Sequence, residues 1–224
     1  SLNSPFLRMF PAGHYYSQLA DMKQVVAKRA SLFRRDATEC PGVALNVDRQ
    51  LAVLVELAKF YDELPFSDAE SNSRRYYYEN PFFDHGDGIV LYGMLRWLQP
   101  QRVIEVGSGF SSAAMLDTND KFLGGKIQFT FIEPHPVRLL TLLSEEDTRQ
   151  CRILEQPVQD VALAEFDKLE ANDILFIDSS HVVKIGSDVR HLLWEVLPRL
   201  KRGVVIHFHD VVWPFEYSED WVLR

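Results

Sequence analysis

Short apolar runs rich in β-branched and aromatic residues alternate with stretches of helical periodicity over the second half of the chain. Runs of this kind, bounded by glycine, proline and polar residues, are typical of strands buried on both faces. They predict strands at 103–106, 127–132, 151–155, 173–177 and 204–208. Helical patterns are predicted at 89–98, 111–120, 136–143, 161–169 and 186–200. Strands that alternate with helices in this way predict an α/β fold with a doubly wound, mostly parallel sheet.

The first third of the chain has a different pattern. Apolar and charged residues at helical spacing predict amphipathic helices at 14–35 and 47–61, which we interpret as an N-terminal helical cap. The aromatic-rich segment 74–83 follows. It is either a loop pinned by its aromatic side chains or a lid whose tyrosines cover a ligand. We therefore divide the chain into a cap and lid segment, 1–85, and a ligand-binding domain, 86–224.

The first predicted strand leads directly into a glycine turn and a helix. Glu105 stands two residues before Gly107, and Gly109 follows after one residue. Glycine lacks Cβ, so the chain can turn sharply there and a ligand can approach the backbone. A dinucleotide-binding motif has a third glycine where this chain has Ser112. An acid at Glu105 suits a cationic or hydroxyl-rich ligand better than a pyrophosphate.

Polar side chains also end the second and third predicted strands. In a βαβ unit that binds a nucleotide, an acid that binds the ribose follows the glycine turn by about 20 residues. Glu133, which precedes Pro134, stands at about this distance from the glycine turn here. A carboxylate there can accept both ribose hydroxyls. Gln159 and Asp160 follow the third strand, where an adenine edge would lie, although Asp160 is also a candidate helix cap.

The fourth and fifth predicted strands each end in an acid and a histidine. Asp178 and His181 follow the fourth strand, and His209 and Asp210 end the fifth. Open α/β sheets bind ligands in the crevice at the carboxyl ends of their strands. Histidine is the side chain best suited to accept a proton near neutral pH. These residues are therefore candidate catalytic groups.

Composition narrows the class of partner. The formal net charge is −8, whereas domains that hold nucleic acid by its phosphates usually carry a basic surface. A small-molecule substrate fits better. Cys40 and Cys151 lie far apart, so no metal-thiolate or redox motif is supported, and we expect a reducing cytoplasm. No apolar run is long enough to span a membrane, so we expect no membrane partner.

Taken together, the motifs between residues 86 and 211 resemble the class I S-adenosylmethionine (SAM)-dependent O-methyltransferases. The resemblance is strongest to the small-molecule group that includes catechol O-methyltransferase-like enzymes and the methyltransferase 24 family. It implies a Rossmann-like fold, SAM as cofactor, S-adenosylhomocysteine as product and a small-molecule hydroxyl as methyl acceptor. It also predicts a set of cofactor-binding residues: Asp87, Glu105, Gly107, Ser108, Gly109, Ser112, Glu133, Pro134, Gln159, Asp160 and Asp178.

For catalysis we predict His181 or His209 as the base, with Asp178 orienting the base or the substrate. Asp87 is also expected to cap the helix before the glycine strand. Metal-dependent relatives place acids and an amide around magnesium. Asp178, His209 and Asp210 offer a comparable set here, but histidine is a poor magnesium ligand, and we predict no metal.

Two other functions remain open at this point. One is an NAD(P)-dependent oxidoreductase on a Rossmann fold, against which Glu105 and Ser112 count. The other is a non-catalytic SAM-binding protein. The fold usually adds two strands after the fifth, and only fourteen residues follow Asp210, so we expect those strands to be missing. The sequence does not identify the acceptor, and it leaves a homodimer open.

Overall fold

The computed structural model describes residues 9–17, 19–71 and 73–223. Contacts divide them into two compact units. One is Asn46–Asp210, and the other joins the described residues up to Leu45 with those from Val211 onward. The cap boundary predicted at residue 85 differs from this division, because residues 46–85 lie in the same unit as the sheet.

The secondary structure follows the predicted alternation of strands and helices. In chain order the elements are α1 (Met22–Ala27), α2 (Arg29–Leu32), α3 (Val47–Ala58), a 3₁₀ turn (Tyr61–Glu63), α4 (His85–Leu98), β1 (Arg102–Val106), α5 (Phe110–Phe122), β2 (Gln128–Ile132), α6 (Val137–Leu142), α7 (Glu145–Gln150), β3 (Arg152–Leu154), 3₁₀ turns (Val158–Asp160 and Leu163–Lys168), β4 (Ile174–Ile177), α8 (Asp188–His191), β5 (Val205–Phe208) and α9 (Glu219–Val222). None of the described helices has the length and apolar character needed to cross a bilayer.

The five strands form one parallel sheet in the order β3-β2-β1-β4-β5. The central strand β1 pairs with two neighbours, so that Val103 stands opposite both Phe129 and Ile174. The chain moves outward from β1 to β3 and then returns to β4 on the other side of β1. This reversal between β1 and β4 is where a doubly wound sheet opens its ligand crevice. The predicted Rossmann-like fold is confirmed.

Alternate strand residues supply two hydrophobic cores, one on each face of the sheet. Phe131 and Phe176 belong to one core, together with Leu95 of α4. Ile104 and Leu175 belong to the other. Because both faces are covered, the strands read in the sequence as continuous apolar runs.

Three predicted helices differ from the structure. The pattern at 14–35 yields only α1 and α2, two short helices that bury no residue. An isolated amphipathic pattern without a buried face has little to stabilise a long helix. The segment 161–169 forms a 3₁₀ turn, and the helix predicted at 186–200 is α-helical only in α8. It continues as a π-helical turn at Leu192–Val196 and a 3₁₀ turn at Leu197–Arg199, where Pro198 cannot donate a backbone hydrogen bond.

The aromatic segment before α4 is a pinned loop. Tyr76 is fully buried and Tyr78 is 6% exposed, and both pack edge-to-face against Phe66. The alternative interpretation, in which the tyrosines form a lid, is therefore wrong for these two residues. The phenolic oxygen of Tyr76 donates to the carbonyl of Phe83, at 2.8 Å, which ties the two ends of the loop together.

Arg75 fastens this loop to the rest of the unit. Its guanidinium binds the Asp147 carboxylate through two hydrogen bonds of 2.9 and 2.6 Å, and it donates to Asp117 at 2.7 Å. Asp117 also accepts from the backbone N–H of Arg75 and of Tyr76, at 2.9 and 3.0 Å. Asp117 and Asp147 are only 3% and 5% exposed, so both depend on Arg75 for compensation of their charge.

We expect Arg75→Ala to reduce the free energy of unfolding by about 3 kcal/mol, because it leaves two buried carboxylates without a cation. Urea denaturation measures the loss. The matched control is Arg199→Ala, which removes a solvent-exposed pair with Asp167 and is expected to cost much less than Arg75→Ala. Equal losses in the two variants would contradict the role assigned to Arg75.

Candidate active site

The glycine turn after β1 is pressed against the end of β4. Gly107 has a φ of +82°, and a Cβ at this position would lie 1.7 Å from the carbonyl oxygen of Asp178. Any other residue would therefore clash with backbone as well as adopt an unfavourable conformation. The turn can sit this close to β4 only because residue 107 is glycine.

Glu105 supports the turn from beneath. Its side chain is fully buried, the Ser111 hydroxyl donates to Oε1 at 2.5 Å, and the Ser112 hydroxyl donates to Oε2. The Ser112 Oγ also accepts from the backbone N–H of Gly109, at 3.0 Å. Burial raises the pKa of Glu105 to about 8, although both serine hydroxyls favour the ionised form. Glu105 therefore connects β1 to the first turn of α5.

Glu133 is held at the end of β2 by two backbone donors. Oε2 accepts from the N–H of Ser108 at 3.2 Å, and Oε1 accepts from the N–H of His135 at 2.8 Å. One of these donors belongs to the glycine turn, so the acid and the turn are directly linked. The carboxylate has a defined orientation before any ligand binds.

Two cavities adjoin at this end of the sheet, of about 290 and 370 Å³. Four residues line both of them: Gly107, Glu133, Asp178 and Ser179. We call the smaller one the histidine cavity; its other lining residues are Phe82, Phe83, Ser108, Gly109, Phe110, Ser111, Arg138, His181, His209 and Asp210. We call the larger one the proline cavity; its other lining residues are Val106, Ile132, Pro134, Pro157, Val158, Gln159, Ser180 and Asp188.

Most of the predicted site residues lie along these cavities, and four do not. Glu105 and Ser112 are buried beneath the turn. Asp160 is exposed and lines neither cavity. Asp87 does not cap α4, which begins at His85 after the cap residue Asp84. It lies in the first turn of that helix instead.

The histidines and acids form one cluster around the ends of β4 and β5. His181 Nε2 lies 3.4 Å from Asp178 Oδ1 and 3.7 Å from Asp210 Oδ2. His209 Nδ1 lies 3.5 Å from Asp178 Oδ1 and 3.4 Å from Asp210 Oδ1, and its Nε2 lies 3.3 Å from Asp87 Oδ1. Asp178 thus stands between the two imidazoles.

Acidic neighbours raise the pKa of both histidines. Burial acts to lower the pKa of His209, but contacts with Asp178 and Asp87 outweigh it and raise the pKa to about 10. The contact with Asp178 also raises the pKa of His181 above its ordinary value. Burial alone would raise the pKa of Asp178, yet the two histidines hold it well below its usual range. At neutral pH the cluster therefore contains a carboxylate beside a protonated His209.

The backbone is strained in the same cluster. His181 and Asp210 have φ values of +60° and +58°, in the left-handed region that residues other than glycine seldom occupy. Such conformations persist where the surrounding structure imposes them, and they concentrate at functional sites. In this conformation His181 faces Asp178, and Asp210 faces both histidines.

The cluster also has the donors for a divalent cation. One ligand atom each from Asp178, His181 and Asp210 lies within 4.8 Å of the others. The set that the sequence offered contained His209 in place of His181, and no metal was predicted from it. Two carboxylates with one imidazole suit manganese or zinc better than magnesium, which prefers oxygen ligands.

Several lining residues carry no signal that the sequence analysis used. Phe82 lies in the aromatic segment that was predicted only as a loop or lid, and Arg138 follows the predicted start of α6. Ser179 directly follows Asp178, and no motif in the sequence marks it. Their roles depend on the packing of distant segments, so sequence periodicity does not reveal them.

Comparison with known proteins now defines the class. Residues 104–211 match the methyltransferase 24 family, described as a methyltransferase domain. An uncharacterized protein of Archaeoglobus fulgidus is 34% identical over 172 residues, covering 75% of this chain and 76% of that protein. The chain belongs to the methyltransferase 24 family, and it is therefore a class I SAM-dependent methyltransferase.

Solved structures show more distant similarity. The apo structure of CmcI has a TM-score of 0.44 and 16% identity, covering 87% of this chain and 78% of that one. The S-adenosylhomocysteine-bound methyltransferase PaMTH1 of Podospora anserina has a TM-score of 0.36 and 17% identity, covering 85% of this chain and 71% of that one. Similarity at this level says nothing about the acceptor.

Glu105→Gln should change how stability depends on pH. The folded wild type keeps the Glu105 proton up to about pH 8, whereas the unfolded chain loses it near pH ~4.3. Between these values the folded state binds the extra proton, so this group makes the wild type less stable as pH rises. Glutamine does not titrate.

We therefore expect the free energy of unfolding of Glu105→Gln, relative to wild type, to increase steadily between about pH 5 and 8. Urea denaturation at several pH values measures it. A difference that does not change with pH would show that Glu105 titrates normally in the folded state.

Proposed function

We propose that the protein transfers a methyl group from SAM to the hydroxyl of a small molecule, with SAM lying across the two cavities. The observation that carries this proposal is that the cavities adjoin at Glu133 and Gly107. In the proposed arrangement, the adenosine occupies the proline cavity, next to Pro134 and Gln159. The methionine part follows the glycine turn into the histidine cavity.

Glu133 is the proposed ribose-binding residue. Its carboxylate is oriented by two backbone donors and borders both cavities, so it retains lone pairs for the two ribose hydroxyls. A neutral ribose with no phosphate nearby is compatible with the acids of this region. A pyrophosphate would meet the carboxylates of Glu133 and Asp178.

The acceptor hydroxyl is proposed to bind in the histidine cavity, beside His181. Methyl transfer needs the hydroxyl oxygen in line with the sulfonium methyl and a group that takes up its proton. His181 is the better base, because its side chain is 28% exposed at the cavity and is oriented by Asp178. His209 is protonated at neutral pH and instead keeps the Asp178 carboxylate in place.

A divalent ion would bind at Asp178, His181 and Asp210, the donors that lie close enough together. It would supply positive charge to an acceptor oxygen. A metal on His181 would remove that residue as the base, so the two arrangements are alternatives. Activity that is lost in EDTA and restored by the metal would favour the ion.

Titration calorimetry with S-adenosylhomocysteine tests the cofactor site. We expect micromolar binding to the wild type and no binding of NAD. Glu133→Ala should weaken binding by about tenfold or more, since it removes the charged acceptor for two hydroxyls. The matched control is Asp160→Ala, an exposed acid that lines neither cavity and should leave affinity unchanged. Binding of NAD instead would overturn the proposal.

His181→Ala should reduce kcat by about 10²-fold or more while leaving the affinity for S-adenosylhomocysteine within about twofold. The wild-type rate should rise with pH through the raised pKa of His181, because only the neutral imidazole accepts a proton. Asp178→Asn removes the group that raises this pKa, so the rise should move to lower pH. Methyl transfer to a panel of hydroxyl compounds provides the assay. Intact turnover in His181→Ala would exclude it as the base.

A further inference from the structure

Arg138 of α6 extends over the start of α5 and reaches the histidine cavity. Its guanidinium carbon lies 3.5 Å from the centre of the Phe82 ring. A Cβ on Gly109 would lie 3.3 Å from Arg138 Cδ, so the side chain passes directly beside the glycine turn. This arginine has no part in the proposed methyl transfer.

The charge of Arg138 is not neutralised within the described part of the chain. Other arginines of the same unit, such as Arg75 and Arg199, pair with carboxylates, whereas no ion pair of the described residues includes Arg138. It is also the one arginine or lysine among the described residues that line the histidine cavity. The acids there already have partners: Asp178 faces histidines, and Glu133 accepts from two backbone donors.

The Phe82 ring on which the Arg138 guanidinium lies is itself held in place by neighbouring residues. The Phe82 ring stacks on Phe110 at 6.2 Å and 20°. Its backbone is held by the buried Asn80, whose Oδ1 accepts from Phe82 and Phe83 at 3.1 and 2.8 Å. An arginine lying on an aromatic face keeps the N–H groups at its edge available for a second partner.

We propose that Arg138, lying on Phe82, binds a carboxylate of a ligand in the histidine cavity. Guanidinium and carboxylate match in a planar, two-bond geometry, and Arg138 is exposed and has no ion pair with any residue that the structure describes. This inference rests on the proposed function, which brings two ligands to the cavity. The carboxylate belongs either to the methionine part of the cofactor or to an acidic acceptor.

The first arm of the test examines the cofactor. Wild type, Arg138→Gln and Arg138→Lys are titrated with S-adenosylhomocysteine and with 5′-methylthioadenosine, which lacks the amino-acid part. If the carboxylate belongs to the cofactor, Arg138→Gln weakens the binding of S-adenosylhomocysteine by about tenfold or more. The same variant then leaves the binding of 5′-methylthioadenosine unchanged. Arg138→Lys keeps the positive charge but loses the planar stack on Phe82, so its affinity for S-adenosylhomocysteine should lie between those of the wild type and Arg138→Gln.

The second arm examines the acceptor. 3,4-Dihydroxybenzoate and catechol, which differ only by the carboxylate, are titrated into the complex with S-adenosylhomocysteine. If the carboxylate is the acceptor's, the wild type prefers the benzoate by about tenfold or more, and Arg138→Gln loses the preference. The matched control is Arg149→Gln, whose side chain is 73% exposed and approaches Glu145 only at 4.0 Å. It should behave as wild type in both arms.

If Arg138→Gln binds all four compounds with the same affinity as the wild type, the inference is wrong. Absence of S-adenosylhomocysteine binding by the wild type would instead overturn the proposed function. In that case the benzoate and catechol titrations, made on the protein alone, still test Arg138. Loss of the benzoate preference in Arg138→Gln would then support the carboxylate site independently.

Discussion

The site depends on one buried carboxyl group. Glu105 lies in the central strand with no solvent exposure, and its two oxygens bind the hydroxyls of Ser111 and Ser112. A buried carboxyl group without such partners would be costly, so strand and helix are held in one relative position. Gly107 then brings the turn against the carbonyl of Asp178. The turn is thus fixed from beneath by Glu105 and from the side by β4.

Functional groups come together around this fixed turn because the strands are parallel. Their carboxyl ends meet at one edge, so Glu133, which follows β2, and Asp178, which follows β4, stand on opposite sides of β1. The N–H of Ser108 then binds Glu133 directly, which orients the acid relative to the turn. The two cavities lie side by side and share these lining residues at the edge of the sheet.

How much the sequence predicts depends on whether a feature is local. Strand positions, the glycine turn and Glu133 follow from local pattern, and the structure places them as expected. Glu105 is predicted to contact the cofactor, but it is fully buried and accepts hydrogen bonds from two serines six and seven residues away. Arg138 meets Phe82 from a different segment, which no periodicity encodes. The helix predicted at 186–200 changes type because packing and proline override helical propensity.

The two histidines differ in their exposure and in the number of acids that each one faces. His209 is 8% exposed and lies within 3.5 Å of three carboxylates, so its proton is held strongly despite burial. His181 is more exposed and faces two carboxylates, one of which His209 already neutralises in part. Contacts with both histidines hold the pKa of Asp178 well below its usual range, although burial acts to raise it, so the carboxylate stays ionised between them. The charge on each group therefore depends on its neighbours, and protonation is a property of the cluster as a whole.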